Sequence, residues 1–186
     1  MIRNDPALFR YVMFSDEATF KNNGKLNRHN CHYWLDTNPH WHRQIDNQHR
    51  WSINVWCGII SGYLIGLHIF EENVNGENFL ALLRDELPVL LEEVDLYTRL
   101  RMWIQLDGAA PHYSKHVRAY LNRRFNGKWI GRGGPVAWPA RFPDITSPDF
   151  YLWDYLKNVV YEHQPLEKTW WKELKQLAET YHELYY

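Results

Sequence analysis

The stretch that most constrains this chain is Met102-Trp-Ile-Gln-Leu-Asp-Gly-Ala-Ala-Pro-His112. A mostly apolar run leads into Asp107, and Gly108, Ala109, Ala110 and Pro111 turn the chain at once. Behind the turn, Ser114 precedes a run to Phe125 in which Val117 and Leu121 recur at helical spacing. The pattern reads as a buried strand, an acidic end, a tight turn and a helix. Such alternation builds α/β layers, and a carboxylate at the C-terminal mouth of a buried strand is a common place for their chemistry. Asp-Gly is also an ordinary turn dipeptide. Asp107 therefore gains meaning only from other acids placed to join it.

The rest of the chain supplies the layers. In Tyr11 to Phe20, Val12, Phe14 and Asp16 share one face of a strand by period two. Trp51 to Ile60 and Gly62 to Phe70 read as two strands of a hairpin, turning at Ser61-Gly62. From Asn75 to Asp95, residues Phe79, Leu82, Leu83, Leu90, Leu91 and Val94 form a helical stripe, which Pro88 should break or kink just after Leu87. Lys128 to Gly131 is a short strand, and Gly133-Gly134-Pro135 opens a loop that lasts to Pro143. Ser147-Pro148-Asp149 starts another helix, which continues through Leu152, Leu156 and Val160. An amphipathic tail helix follows from Leu166. The order predicts a single α/β domain over residues 1–186, a mixed sheet with helices on its faces. Residues 21–50 form a polar, His-rich loop insertion, with one strand-like piece at Tyr33-Trp34-Leu35.

Composition is globular, with 45% hydrophobic and 23% charged residues. No apolar run approaches the roughly 18 residues that cross a bilayer, so no membrane role is expected. Two cysteines, Cys31 and Cys57, are too few for a disulfide framework and point to a reducing compartment. The net charge of −1 conceals an asymmetry. Glu71 to Asp95 holds eight acids and one base, whereas Arg99 to Arg132 holds eight bases and one acid, Asp107. Polar helix faces account for part of this. A basic surface beside Asp107, carried by Lys115, Arg118, Arg123 and Arg124, would also attract a polyanion.

Three acids stand out: Asp16 near the end of the first strand, Asp107 ending a later one, and Asp149 in the first turn of a late helix. Converging carboxylates repel one another unless divalent cations neutralise them, when they become a hard-oxygen cage for one or two Mg²⁺. Such a pair can act on a phosphodiester. Spacing alone does not select these three from 22 acids. Asp144 and Asp154 flank Asp149 at five-residue intervals; the first suits a turn, and the second lies about 140° around the helix from Asp149. His112 could orient a phosphate or cap the helix. His29, Cys31, His32, His40, His42 and His49 crowd one segment, but without the regular spacing of a zinc module.

The wording around the acids is more specific. Phe14-Ser-Asp16-Glu-Ala-Thr-Phe20, Asn27-Arg-His-Asn-Cys-His-Tyr-Trp34, Trp51-Ser-Ile-Asn-Val-Trp-Cys-Gly-Ile59, Gln105-Leu-Asp107-Gly-Ala-Ala-Pro-His112 and Trp138 to Trp153 together resemble the catalytic domain of mariner-superfamily transposases. The resemblance runs from about Asn4 to about Pro165. It implies a ribonuclease H-like five-stranded sheet and a metal-binding aspartate triad at Asp16, Asp107 and Asp149. It also implies two Mg²⁺ or Mn²⁺ ions, with Asp16 bridging both and Asp107 and Asp149 each holding one. The implied chemistry is hydrolysis at a transposon end, followed by attack of the freed 3′-hydroxyl on target DNA, in the nucleus. By the same resemblance, His112 and the basic helix would face DNA, and the 21–50 loop would reach a partner subunit in a homodimer. Ala110 ahead of Pro111, Phe142, and Ser147-Pro148 depart from the family's wording, yet every triad acid is kept. The family's N-terminal helix-turn-helix modules are expected to be absent, since the catalytic resemblance begins almost at Met1. A reused, catalytically idle domain that binds DNA or protein is the alternative.

Overall fold

The computed structural model describes residues 6–21, 52–138 and 152–163, together with Leu174, Gln176 and Thr180. A 3₁₀ turn, Pro6–Tyr11, leads into β1, Val12–Lys21. Then come β2, Ser52–Ile60, and β3, Tyr63–Phe70. Three short helices follow, α1 (Gly76–Ala81), α2 (Leu87–Leu90) and α3 (Leu96–Arg101). The chain continues with β4 (Trp103–Gln105), α4 (Lys115–Arg124), β5 (Trp129–Ile130) and α5 (Trp153–His163). The predicted strand at Tyr33–Leu35, the 21–50 loop beyond Lys21, Asp149 and the start of its helix all lie outside the described residues. So do the His29 to His49 cluster and most of the tail from Leu166.

Among the described residues the strands form one five-stranded mixed sheet, ordered β3-β2-β1-β4-β5. The β1–β2 and β2–β3 pairs are antiparallel, whereas β1–β4 and β4–β5 are parallel. The hairpin turn falls at Ser61 and Gly62, both at positive φ (48° and 81°). That conformation matches the right-handed twist of the flanking strands and favours Gly.

Alternation along β1 divides the core in two. Met13 points to one face, where Trp56, Ile104, Leu106, Phe79, Leu82, Leu83, Val117 and Leu121 are buried together. Ala18 and Phe20 point to the other, against Ile53, Val55, Cys57 and the α5 residues Trp153, Leu156 and Val160. Helices therefore cover both faces, as the sequence predicts.

Two local features depart from the sequence reading. The helical run does not break at Pro88: a π turn, Leu82–Glu86, precedes it and α2 passes through it. In that turn the Leu87 N–H reaches back to Leu82 O, five residues away. The wider coil gives room to a ring that has no N–H to donate and would otherwise crowd the preceding turn. Helix α3 has no counterpart in the reading above. Asp95 caps it by accepting the Thr98 N–H at 3.0 Å. Leu96, Tyr97 and Leu100 on α3 are more than half exposed, so no amphipathic stripe announces it.

The strands that carry the acids are also joined by a side chain. Ser15 is buried on β1, and its hydroxyl donates to the Gln105 carbonyl of β4 at 2.8 Å. Ser15→Ala should cost about 1 kcal/mol, the net worth of one such bond. Urea unfolding measures this, and an unchanged midpoint would remove the bond from the account of how β1 holds β4.

Candidate active site

The parallel pairing of β1 with β4 sets Phe14 opposite Gln105. Two residues further along each chain, Asp16 and Asp107 come level on neighbouring strands, which lie about 4.8 Å apart in a sheet; β1 continues to Lys21, so Asp16 lies in mid-strand rather than near its end as the sequence suggests. Asp16 is partly buried within β1, and Asp107 lies just past the last residue of β4. The register thus sets two of the three acids singled out from the sequence level on adjacent strands.

Each carboxylate is held by an N–H donor. The indole Nε1 of Trp153, on α5, donates to Asp16 Oδ2 at 2.8 Å. Asp107 Oδ1 accepts two bonds, from the Ala109 backbone N–H at 2.8 Å and from His112 Nδ1 at 2.6 Å. The first closes an Asx turn through Gly108, which explains why an Asp-Gly-Ala sequence suits this strand end. Asp107 Oδ2 has no hydrogen-bond partner among the described residues, and the side chain is 43% exposed. One oxygen is fixed and the other faces outward.

His112 is the residue whose place the sequence left open. Its side chain is only 4% exposed and its ring lies on Phe79, centroids 4.2 Å apart. The second ring nitrogen, Nε2, meets Glu17 Oε1 at 3.1 Å. Burial alone would lower the pKa of His112, but hydrogen bonds to Asp107 and Glu17 carry it up to about 10. At neutral pH the ring is an imidazolium that donates to both carboxylates. Burial would raise the Asp107 carboxyl, yet the bonds from His112 and Ala109 hold it below its ordinary value. Both nitrogens are engaged beneath the surface by carboxylates, and His112 does not cap α4. Ser114 is the cap, accepting the Val117 N–H at 3.3 Å.

Glu17 was not singled out from the sequence. It follows Asp16 directly, so strand alternation sends it to the opposite face, toward α1 and α4. Ligand atoms of Glu17, Asp107 and His112 all lie within 4.8 Å of one another, a grouping that could suit a metal ion. A metal bound there would displace the imidazole proton, because a ligand needs the neutral ring; with the proton in place the same group is a charge network that holds Asp107.

The basic residues are less well gathered than the sequence suggests. On α4, Val117 and Leu121 are fully buried, while Lys115, Arg123 and Arg124 are exposed and Arg118 is partly buried. At about 100° per residue, Arg118 and Lys115 lie roughly 60° apart, but Arg124 is about 120° from Arg118 on the other side. The four do not share one face. Asp154 is exposed, as expected of an acid turned away from the site, and Asp149 lies outside the described residues.

No family description and no curated protein sequence matches this chain. Solved structures do. The fold is ribonuclease H-like, with the five-stranded mixed sheet described above. The structures it resembles are those of a mariner transposase. A Mos1 transposase paired-end complex with the left transposon end superposes with a TM-score of 0.68 at 17% identity, over 98% of this chain and 50% of that one. The catalytic domain of Mos1 mariner transposase gives 0.61 at 16%, over 98% and 74%. A Mos1 catalytic domain with raltegravir and Mn gives 0.61 at 16%, over 98% and 74%. The chain therefore spans half the length of the transposase in the first of these complexes. No helix among the described residues is long and apolar enough to cross a membrane.

The raised pKa of His112 has a defined consequence for stability. A group whose folded pKa exceeds its unfolded value near 6.5 contributes fully below that value, and the contribution is lost as pH rises toward the folded pKa. Unfolding free energy should therefore fall between about pH 6.5 and about pH 10, by an amount on the order of a few kcal/mol. In His112→Gln this component of the pH dependence should vanish. Parallel slopes for the two proteins would show that His112 is not charged in the fold.

Proposed function

We propose that this chain is the catalytic domain of a mariner-type transposase, a metal-dependent enzyme that cuts DNA at transposon ends and transfers the strand. The observation that carries this reading is the level placement of Asp16 and Asp107 on β1 and β4, with Asp107 Oδ1 tied down and Oδ2 turned outward. The likeness to Mos1 structures, some containing Mg or Mn, supports the choice of metal and substrate.

The donor set fits a hard divalent cation, since Asp107 presents a carboxylate oxygen that no donor among the described residues occupies. Asp16 and Asp107 would hold the ion, and Asp149 would be the third ligand, with two ions per site. When bound, the metal would polarise the scissile phosphodiester and lower the pKa of attacking water. The chain's own residues do the positioning. Trp153 fixes Asp16, while Ala109, His112 and Glu17 fix Asp107, so neither carboxylate must reorganise when the cation arrives. The transposon ends and target DNA, a homodimer formed through the 21–50 loop, and action in the nucleus complete the proposal.

Metal binding can be read without catalysis. Mn²⁺ or Mg²⁺ should raise the melting temperature by linkage, and Asp107→Asn should blunt the shift. In a Mn²⁺-dependent plasmid nicking assay, Asp16→Asn, Asp107→Asn and Asp149→Ala should abolish activity, whereas exposed Asp154→Ala should retain it. Equal thermal shifts in the wild type and Asp107→Asn would refute the metal assignment, and nicking by Asp149→Ala would remove the third ligand.

A further inference from the structure

Tyr113, the residue after His112, carries a cationic group on its ring. The guanidinium carbon of Arg118, one turn into α4, lies 4.4 Å from the ring centroid, and that of Arg132, beyond β5, lies 4.5 Å from it. The two positive charges can be no further apart than the sum of those distances. Neither makes a salt bridge to a carboxylate among the described residues, and Arg118 Nε is buried with no acceptor. Stacking on the tyrosine face orients both planar forks, but it leaves their like charge uncompensated.

The backbone that carries Arg132 is fixed in place. The Gly131 N–H donates to Val136 O at 3.0 Å, and the Gly134 N–H donates to Gly131 O at 3.1 Å. Gly133, at φ +76°, packs so closely that a Cβ there would meet Tyr113 Cε2 at 2.7 Å and Arg118 Cδ at 3.4 Å. The loop, the ring and α4 thus form one built surface. Two guanidinium forks around one ring, with no carboxylate partner among the described residues, are what an anion with several oxygens would complete.

We propose that Arg118, Arg132 and Tyr113 form a phosphate-binding site that grips the backbone of bound duplex DNA beside the carboxylate pair. The proposal rests on the function proposed above. It adds Arg132 and Tyr113, which sequence reasoning did not assign to DNA, and separates Arg118 from the other bases of α4. Its place follows from the chain: Tyr113 directly succeeds His112, which holds Asp107, so a phosphate here lies along the strand from the one to be cut.

The test is the salt dependence of binding to a short duplex, read by fluorescence anisotropy with the whole chain and no divalent metal. Each phosphate contact contributes about 0.9 to the slope of log K against log salt. Arg118→Gln with Arg132→Gln should therefore lower the slope by nearly two, with an unchanged melting temperature in the absence of DNA. Arg99→Gln with Arg101→Gln removes the same charge elsewhere and should leave the slope as it was. An unchanged slope in the first pair, or an equal fall in both pairs, would overturn the site. Lost binding of inorganic phosphate with an unchanged DNA slope would assign the pair to a free anion and overturn it too. Because no metal is present, a failure here is distinct from a failure of the nuclease reading, which the Mn²⁺ shift and nicking decide.

Discussion

The arrangement depends on a buried imidazolium held between two carboxylates. His112 comes from the turn after β4 and Glu17 from β1, 95 residues earlier, so their bond ties the mouth of one strand to the body of its neighbour. Burying a charge is costly unless it is paired and its hydrogens are used. Here both N–H groups have acceptors, and Phe79 covers the ring. Once His112 is fixed, Asp107 has only one way to lie. Oδ1 faces inward to two donors, and Oδ2 faces out.

That constraint works because β1 serves both faces of the sheet. Alternation sends Asp16 toward α5, where Trp153 holds it, and sends Glu17 toward α1 and α4, where it holds His112. Adjacent residues thus take different tasks, one at the candidate metal site and the other behind it. The parallel β1–β4 pairing then sets the two aspartates level. An antiparallel neighbour would carry its C-terminal mouth to the opposite end of the sheet.

The surface beside this site follows the same logic of pairing and its absence. The charge on His112 is shared by Glu17 and Asp107, one carboxylate on each ring nitrogen. The guanidinium groups around Tyr113 lie on its ring and meet no carboxylate among the described residues. In a molecule of net charge −1, the local excess of unpaired positive charge has more meaning than the total.

Much of this was legible in the sequence, because it rests on local rules. Period-two alternation put Asp16 on its face, Ser61-Gly62 marked the hairpin, and Val117 with Leu121 marked the buried side of α4. The sequence left a break or a kink open at Pro88; the helix instead takes a π turn just before it, which has no signature in a hydrophobic stripe. Helix α3 escaped because its apolar side chains are exposed, so nothing periodic separates them from solvent. Which acid partners which histidine, and which arginines meet on one tyrosine, could not be read at all. Those contacts join residues far apart in the chain, and their geometry is set by strand register and by the closure of a loop. Sequence determined the elements and offered the acids; the tertiary structure decided which oxygen of Asp107 is left for chemistry.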